Sequence, residues 1–178
     1  ALRTGELRVT DVPAPILRPQ GILVRSATSL VSAGTERMVT DFAAKNMLAK
    51  ARARPDLVRR TLDKARRDGV LNALDSVRAR LDQPMPLGYS VAGVVIGVGA
   101  QASGFRVGDR VACAGAGYAN HAELIYVPRN LAVPLAENVT FEAGAFATVG
   151  AIALQGVRQA EITIGARAAV IGLGLIGQ

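Results

Sequence analysis

The chain has 178 residues, half of them hydrophobic and only 4% aromatic, with a formal net charge of +7. That hydrophobic share suits one core-bearing domain, or one domain and part of a second, and excludes a polar disordered chain. No apolar run approaches the roughly 20 residues of a membrane span, and a single cysteine, Cys113, excludes an internal disulfide and points to a reducing compartment, read here as the cytoplasm.

The first residue is Ala1 and residues 2–9 read as a strand and turn entered midway, so the sequence is expected to be a piece cut at both ends. Over residues 7–31 short strands are punctuated by Pro and Gly: Leu7, Val9 and Asp11 alternate with Arg8, Thr10 and Val12, and Gly21 precedes Ile22-Leu23-Val24-Arg25. At Val39 the period changes to that of a helix, through Phe42, Ala43, Met47, Leu48 and Ala51 up to Pro55. Leu57, Val58, Thr61, Leu62 and Ala65 share one face of a second helix that Asp68-Gly69 closes. Val70, Leu71, Leu74, Val77 and Leu81 stripe a third, ended by Pro84-Met85-Pro86. The β pattern returns over residues 91–99, Val107-Gly108-Asp109-Arg110-Val111 turns into another strand, and residues 122–128 form one more. Asn138-Val139-Thr140-Phe141 opens a helical stretch expected to reach Ala160 with a break near Gly150, after which Gly165 feeds a last strand, Ala168-Ala169-Val170-Ile171. The order is a β-rich body, a helical insertion, more β, a connecting helix and the first strand of an α/β unit.

Most of the positive surplus lies between Arg37 and Gln83, in residues such as Lys45, Arg52, Arg59, Arg60, Arg66 and Arg67. It reads as solvated helix faces, as steering for an anionic substrate, or as a face for a partner subunit, which leaves a homo-oligomer open. Nucleic acid ranks below these, since neither helix-turn-helix spacing nor a stacking aromatic pattern accompanies the charge. No membrane partner is expected.

After the last strand, Gly172-Leu173-Gly174-Leu175-Ile176-Gly177 is a complete G-x-G-x-x-G. In such a motif the first glycine makes the tight strand-to-helix turn, the second lets backbone approach a pyrophosphate, and the third lets helix pack on strand. The helix whose N-terminal amides would hold the phosphates, and the acidic residue expected about 20 positions later, lie beyond Gln178.

Several segments, met in order, resemble those of the medium-chain dehydrogenase/reductase family, the alcohol-dehydrogenase-like proteins. Ala33-Gly34-Thr35-Glu36 resembles the family's Cys-Gly-Thr-Asp, and Gly88-Tyr89-Ser90-Val91-Ala92-Gly93-Val94-Val95 its Gly-His-Glu-x-x-Gly-x-Val. Residues 105–111 are similar to its glycine-aspartate turn, residues 117–123 to its Gly-Gly-x-Ala-Glu strand, and residues 171–177 fall where its cofactor turn belongs. The resemblance implies a mainly β GroES-like barrel over residues 1–149 with a helical insertion at about 39–84, then residues 150–178 as a connecting helix and the first strand of a truncated Rossmann NAD(P)-binding domain. The insertion, residues 83–90 and residues 151–158 further resemble a subgroup of bi-domain oxidoreductases, in which such a half is fused to one similar to glucose-fructose and inositol dehydrogenases.

The departures from the family pattern bear on the chemistry. Where zinc-dependent members place Cys, His and a second Cys or acid, this chain reads Ala33, Tyr89 and Thr148, so no zinc is expected. One His and one Cys in the whole sequence leave too few soft ligands for a thiolate or imidazole site elsewhere. Without the metal, another group must move the proton and stabilise charge on oxygen. The resemblance gives that work to Thr35, aligned with the family's proton-relay hydroxyl, with Tyr89 and Ser90 as further catalytic candidates. Their plainer readings are a helix cap for Thr35, a half-buried aromatic edge for Tyr89 and a backbone-satisfied hydroxyl for Ser90. Thr148 joins Gly172, Leu173, Gly174, Leu175, Ile176 and Gly177 as cofactor-binding. His121 is read as structural, Cys113 as a buried small hydrophobe, and Glu36 as orienting its neighbours. The function implied is a zinc-independent NAD- or NADP-dependent oxidoreductase acting on a small, sugar-like or anionic substrate, the chain by itself being inactive. The alternatives are a quinone or enone reductase and a non-catalytic scaffold subunit.

Overall fold

The alternation that begins at Ile22 becomes the first strand of a sheet. In this computed structural model, which describes residues 6–44 and 85–178, the chain divides into two compact units, residues 12–32 with 86–178 and residues 1–11 with 33–85. The first unit holds β1 (Gly21–Ser29), β2 (Ser90–Val98), β3 (Arg110–Ala114), β4 (Leu124–Pro128) and β5 (Ala132–Pro134). Among the described residues these make one antiparallel sheet in the order β4-β1-β2-β3-β5. The three-residue β5 has no counterpart in the sequence reading.

Side chains alternate across a strand, so the register decides which apolar residues meet. Ile22 lies opposite Val127, Val24 opposite Ile125, and Val91 opposite Cys113. Together with Val95, Val111, Ala102 and Ala119 they form the main core, none more than 3% exposed. The opposite face of β2 carries Ala92, which closes a smaller cluster with Leu30, Ala145 and Val149. Between these faces β1 and β2 approach closely at an irregularity of register between Ser26 and Thr28. A Cβ at position 93 would fall on the Arg25 carbonyl, which is why glycine stands there.

The other unit contains α1 (Ala33–Ala44). It starts six residues ahead of the expected Val39, with Glu36 in its first turn, where a carboxylate suits the helix dipole. The rest of the expected helical insertion, residues 45–84, lies outside the described residues. Back in the sheet unit, α2 (Phe141–Ala145) starts at Thr140, whose hydroxyl accepts from the Ala143 amide at 3.2 Å, and α3 (Ala147–Gln159) follows. The break between them falls at Phe146 and not near Gly150; the Gly150 amide donates to the Phe146 carbonyl at 2.8 Å and continues the helix.

Two expected strands do not form among the described residues. Residues 6–12 join no ladder there, and Leu7, Val9 and Val12 are 66, 105 and 72% exposed. Residues 166–173 likewise pair with no strand among the described residues, and Val170 and Ile171 are exposed. A strand is defined by its neighbour, so apolar alternation without a paired backbone leaves an extended segment and nothing more.

Candidate functional site

Three consecutive residues, Gly88, Tyr89 and Ser90, reach three different parts of the sheet unit. Gly88 has φ +92°, and a Cβ there would meet the His121 backbone nitrogen at 2.8 Å and ring atoms of its imidazole at 3.0 Å. The imidazole therefore rests on the glycine, and its Nδ1 lies 2.9 Å from the Ser29 hydroxyl. Tyr89 is half-buried and packs on the smaller cluster, while its carbonyl accepts from the Gly115 amide at 2.9 Å. Ser90 shares the parity of Ala92 and so points toward the helices. It is 1% exposed, its hydroxyl donates to the Ala145 carbonyl at 2.6 Å, and it lies 2.7 Å from the Thr148 hydroxyl.

The structure thus brings Tyr89, Ser90 and Thr148 together in one unit, at the junction of β2 with α2 and α3. Thr35 belongs to the other unit, in the first turn of α1, where it is exposed. It lies inside the helix, two residues after its first residue Ala33. The Arg37–Asp41 contact on the same helix, 3.6 Å and exposed, is of the kind that adds little.

An open cleft of about 520 Å³ runs along α3, lined by Thr148, Ile152 and Gln155 on that helix and by Ala114, Asn130 and Val133 opposite. Among the described residues its lining includes no Asp, Glu, Lys, Arg or His. Cys113, at its floor, is 2% exposed, and burial pushes its thiol up to about 12, so at neutral pH it is a neutral packing group and not a nucleophile.

Arg110 is the residue that sequence reasoning missed. Its guanidinium donates to the carbonyls of Glu137 at 2.9 Å, Ala136 and Val139, and lies 4.5 Å from the centroid of the Phe141 ring. The loop that delivers α2, and through it Thr148, is tied to β3 by this one side chain. Its only sequence signal is its place after Gly108-Asp109, where the Asp109 carboxylate accepts from the Arg106 amide at 2.7 Å and fixes the turn.

At the glycine motif, Gly172 adopts φ +95°, a conformation open to glycine, and a Cβ on Gly177 would fall on the Gly172 carbonyl. Nothing lies within 4 Å of the Cβ position of Gly174. The first glycine thus takes a backbone conformation that favours glycine, and the third approaches it too closely to carry a side chain. Leu173, Leu175 and Ile176 are exposed around it.

Residues 63–153, just over half the chain, match the family described as the alcohol dehydrogenase GroES-like domain. The chain belongs to that family, within the medium-chain dehydrogenases/reductases. Sorbitol dehydrogenase of Bombyx mori is 32% identical over 124 residues, covering 54% of this chain and 36% of that protein. The GroES-like fold is shared with galactitol-1-phosphate dehydrogenase of Escherichia coli (TM-score 0.68, 19% identity, 98% of this chain and 48% of that one) and with the quinone oxidoreductase of Coxiella burnetii (TM-score 0.61, 21% identity, 89% and 42%). The chain thus spans about a third of the length of the curated relatives it matches, 36% of one and 34% of another. Within the sheet unit the Tyr89 phenol and the Thr148 hydroxyl, the latter bonded to Ser90, occupy two of the positions that the resemblance compares with zinc ligands. A phenol and an engaged hydroxyl are poor donors to zinc, and among the described residues no three His, Cys, Asp or Glu are grouped.

Proposed function

We propose that the protein carrying this chain is an NAD- or NADP-dependent oxidoreductase that works without zinc on a hydroxyl or carbonyl of a sugar-like substrate. The family carries the oxidoreductase part of this reading, and the similarity to a protein named sorbitol dehydrogenase supports a polyol-type substrate. The zinc-free part rests on one observation: Ala33, Tyr89 and Thr148 offer no thiolate, imidazole or carboxylate, and the Thr148 hydroxyl is engaged by Ser90.

In this reading the turn from Gly172 through Gly177 holds the dinucleotide's pyrophosphate, and the cleft along α3 takes the reacting end. Bound NAD or NADP supplies the hydride acceptor or donor. On the sheet unit the Tyr89 phenol, half-buried beside Ser90, is the group proposed to donate a hydrogen bond to the substrate oxygen and offset the charge that develops there; the proton-relay role that the resemblance gives Thr35 is a separate proposal for the other unit. Ser90, fully buried with its proton committed to Ala145, holds the neighbouring hydroxyl in place. The neutral lining of the cleft suits a polyol better than an anion. We place the protein in the cytoplasm, as a soluble enzyme with no nucleic-acid partner, on the strength of its lone buried cysteine and its uncrowded aromatic content.

The deciding experiment is metal analysis of the full-length protein alongside titration with NADH and NADPH and turnover of sorbitol with either oxidised nucleotide. The expected result is nucleotide binding and turnover that survive chelation, with zinc well below one per chain. Stoichiometric, tightly held zinc sinks the zinc-free reading. Binding with reduction of quinones and no polyol turnover gives the protein to the quinone reductases, and no nucleotide binding at all leaves a scaffold subunit.

A further inference from the structure

Ser90 has one hydroxyl proton and two oxygen neighbours. The Ala145 carbonyl, 2.6 Å away, can only accept, so that proton is committed to it. Thr148 Oγ1, 2.7 Å away on the other side, must then donate its own proton to Ser90. Two oxygens at that separation without a hydrogen between them would repel. With its single proton spent inward, the half-buried Thr148 hydroxyl has only lone pairs left for the cleft it lines. Ser90 is 1% exposed and cannot exchange its partners for water, so the direction of both bonds is fixed by the packing of β2 against α2 and α3.

We propose that Thr148 is an obligate acceptor at the wall of the cleft, set by Ser90 as its positioning residue, and that the cleft selects an uncharged ligand group bearing an O–H or N–H donor. Among the described residues the lining holds no ionisable side chain other than the protonated Cys113, which argues in the same direction, since a carboxylate or phosphate would find no counter-charge among them. A ketone oxygen would face the lone pairs of Thr148 and be disfavoured. This inference deepens the oxidoreductase reading and rests on it for the identity of the ligand: the donor is either an alcohol O–H of the substrate or the carboxamide N–H of the nicotinamide.

The test uses the full-length protein and four probes of similar shape, benzyl alcohol, benzamide, acetophenone and benzoate, with binding followed by ligand-observed NMR. In the wild type the alcohol and the amide are expected to bind about tenfold more tightly than the ketone and the carboxylate, the worth of one hydrogen bond made rather than opposed. Thr148→Ser keeps that preference and Thr148→Val removes it. Ser90→Ala releases the Thr148 proton, so the ketone gains on the alcohol, a change of selectivity that loss of packing alone would not produce. Equal binding of the four probes by the wild type, or a preference that survives Thr148→Val, overturns the proposal. The source of the donor is read from NADH and its acetylpyridine analogue, which lacks the N–H. If Thr148→Val weakens NADH about tenfold and spares the analogue, the donor is the carboxamide; if both nucleotides are untouched, it is the substrate hydroxyl. Failure of the wild type to bind any nicotinamide nucleotide would defeat the oxidoreductase reading while leaving the probe selectivity to stand or fall by itself.

Discussion

Ile22 and Ile171 are the same residue in two segments of similar apolar character, yet one is fully buried and the other 99% exposed. Ile22 sits in β1 between β4 and β2, and its side chain meets Val127 across a paired backbone. Ile171 lies in the segment of residues 160–178, where Ile162, Ile164 and Val170 are also exposed and no ladder forms. Hydrophobic pattern supplies only half of a core. The other half is a second surface whose backbone hydrogen bonds let the two be brought together without leaving polar groups unpaired.

The comparison breaks or sharpens at four positions, taken from the largest effect to the smallest. Ile22→Ala should cost about 2–5 kcal/mol in urea unfolding, the range for truncating a buried aliphatic chain; a loss below about 1 kcal/mol would mean that the sheet face is not the core. Arg110→Ala should cost about 1–2 kcal/mol, discounted for the partial exposure of its contacts with the loop ahead of α2. Arg110→Lys should not restore it, because an ammonium cannot bond several carbonyls as a fork while stacking on Phe141. Full rescue by lysine would reduce the residue to a point charge.

Cys113 tests the same core by titration. Its thiol is raised by burial from 9.0 to about 12. Below the unfolded value both states keep the proton and the group adds no pH dependence; as pH rises above it the unfolded chain ionises first, so stability falls through the window up to about 12. In the folded protein the thiol should resist a disulfide reagent at pH 8 and react once the chain is unfolded by urea. Prompt reaction of the native protein would place the residue outside the core. The smallest effect is expected of Ile171→Ala in the 178-residue chain itself, within about 0.5 kcal/mol; a larger loss in unfolding measurements of that chain would show that the segment around Gly172 has a packed surface after all.

Sequence pattern located β1, β2, β3 and β4 to within a few residues, because half-buried strands must alternate and their turns must carry glycine or proline. It also located the glycine turn, whose conformational demands at Gly172 and Gly177 are written in residue type. It misplaced the break between α2 and α3 because glycine is a weak helix breaker when the hydrogen-bond ladder around it is intact, as the Gly150 amide shows. It also started α1 too late, since no apolar stripe announces the first turn at Ala33.

What the sequence determined by itself was therefore the family, through short motifs met in the right order. Only the tertiary structure decided that the Ser90 hydroxyl meets both the Ala145 carbonyl and the Thr148 hydroxyl, and that Arg110 ties the loop ahead of them. Those contacts join residues more than 25 positions apart. A hydroxyl or guanidinium can bond to many partners, and the choice among them is made by which backbones the packed sheet brings within about 3 Å.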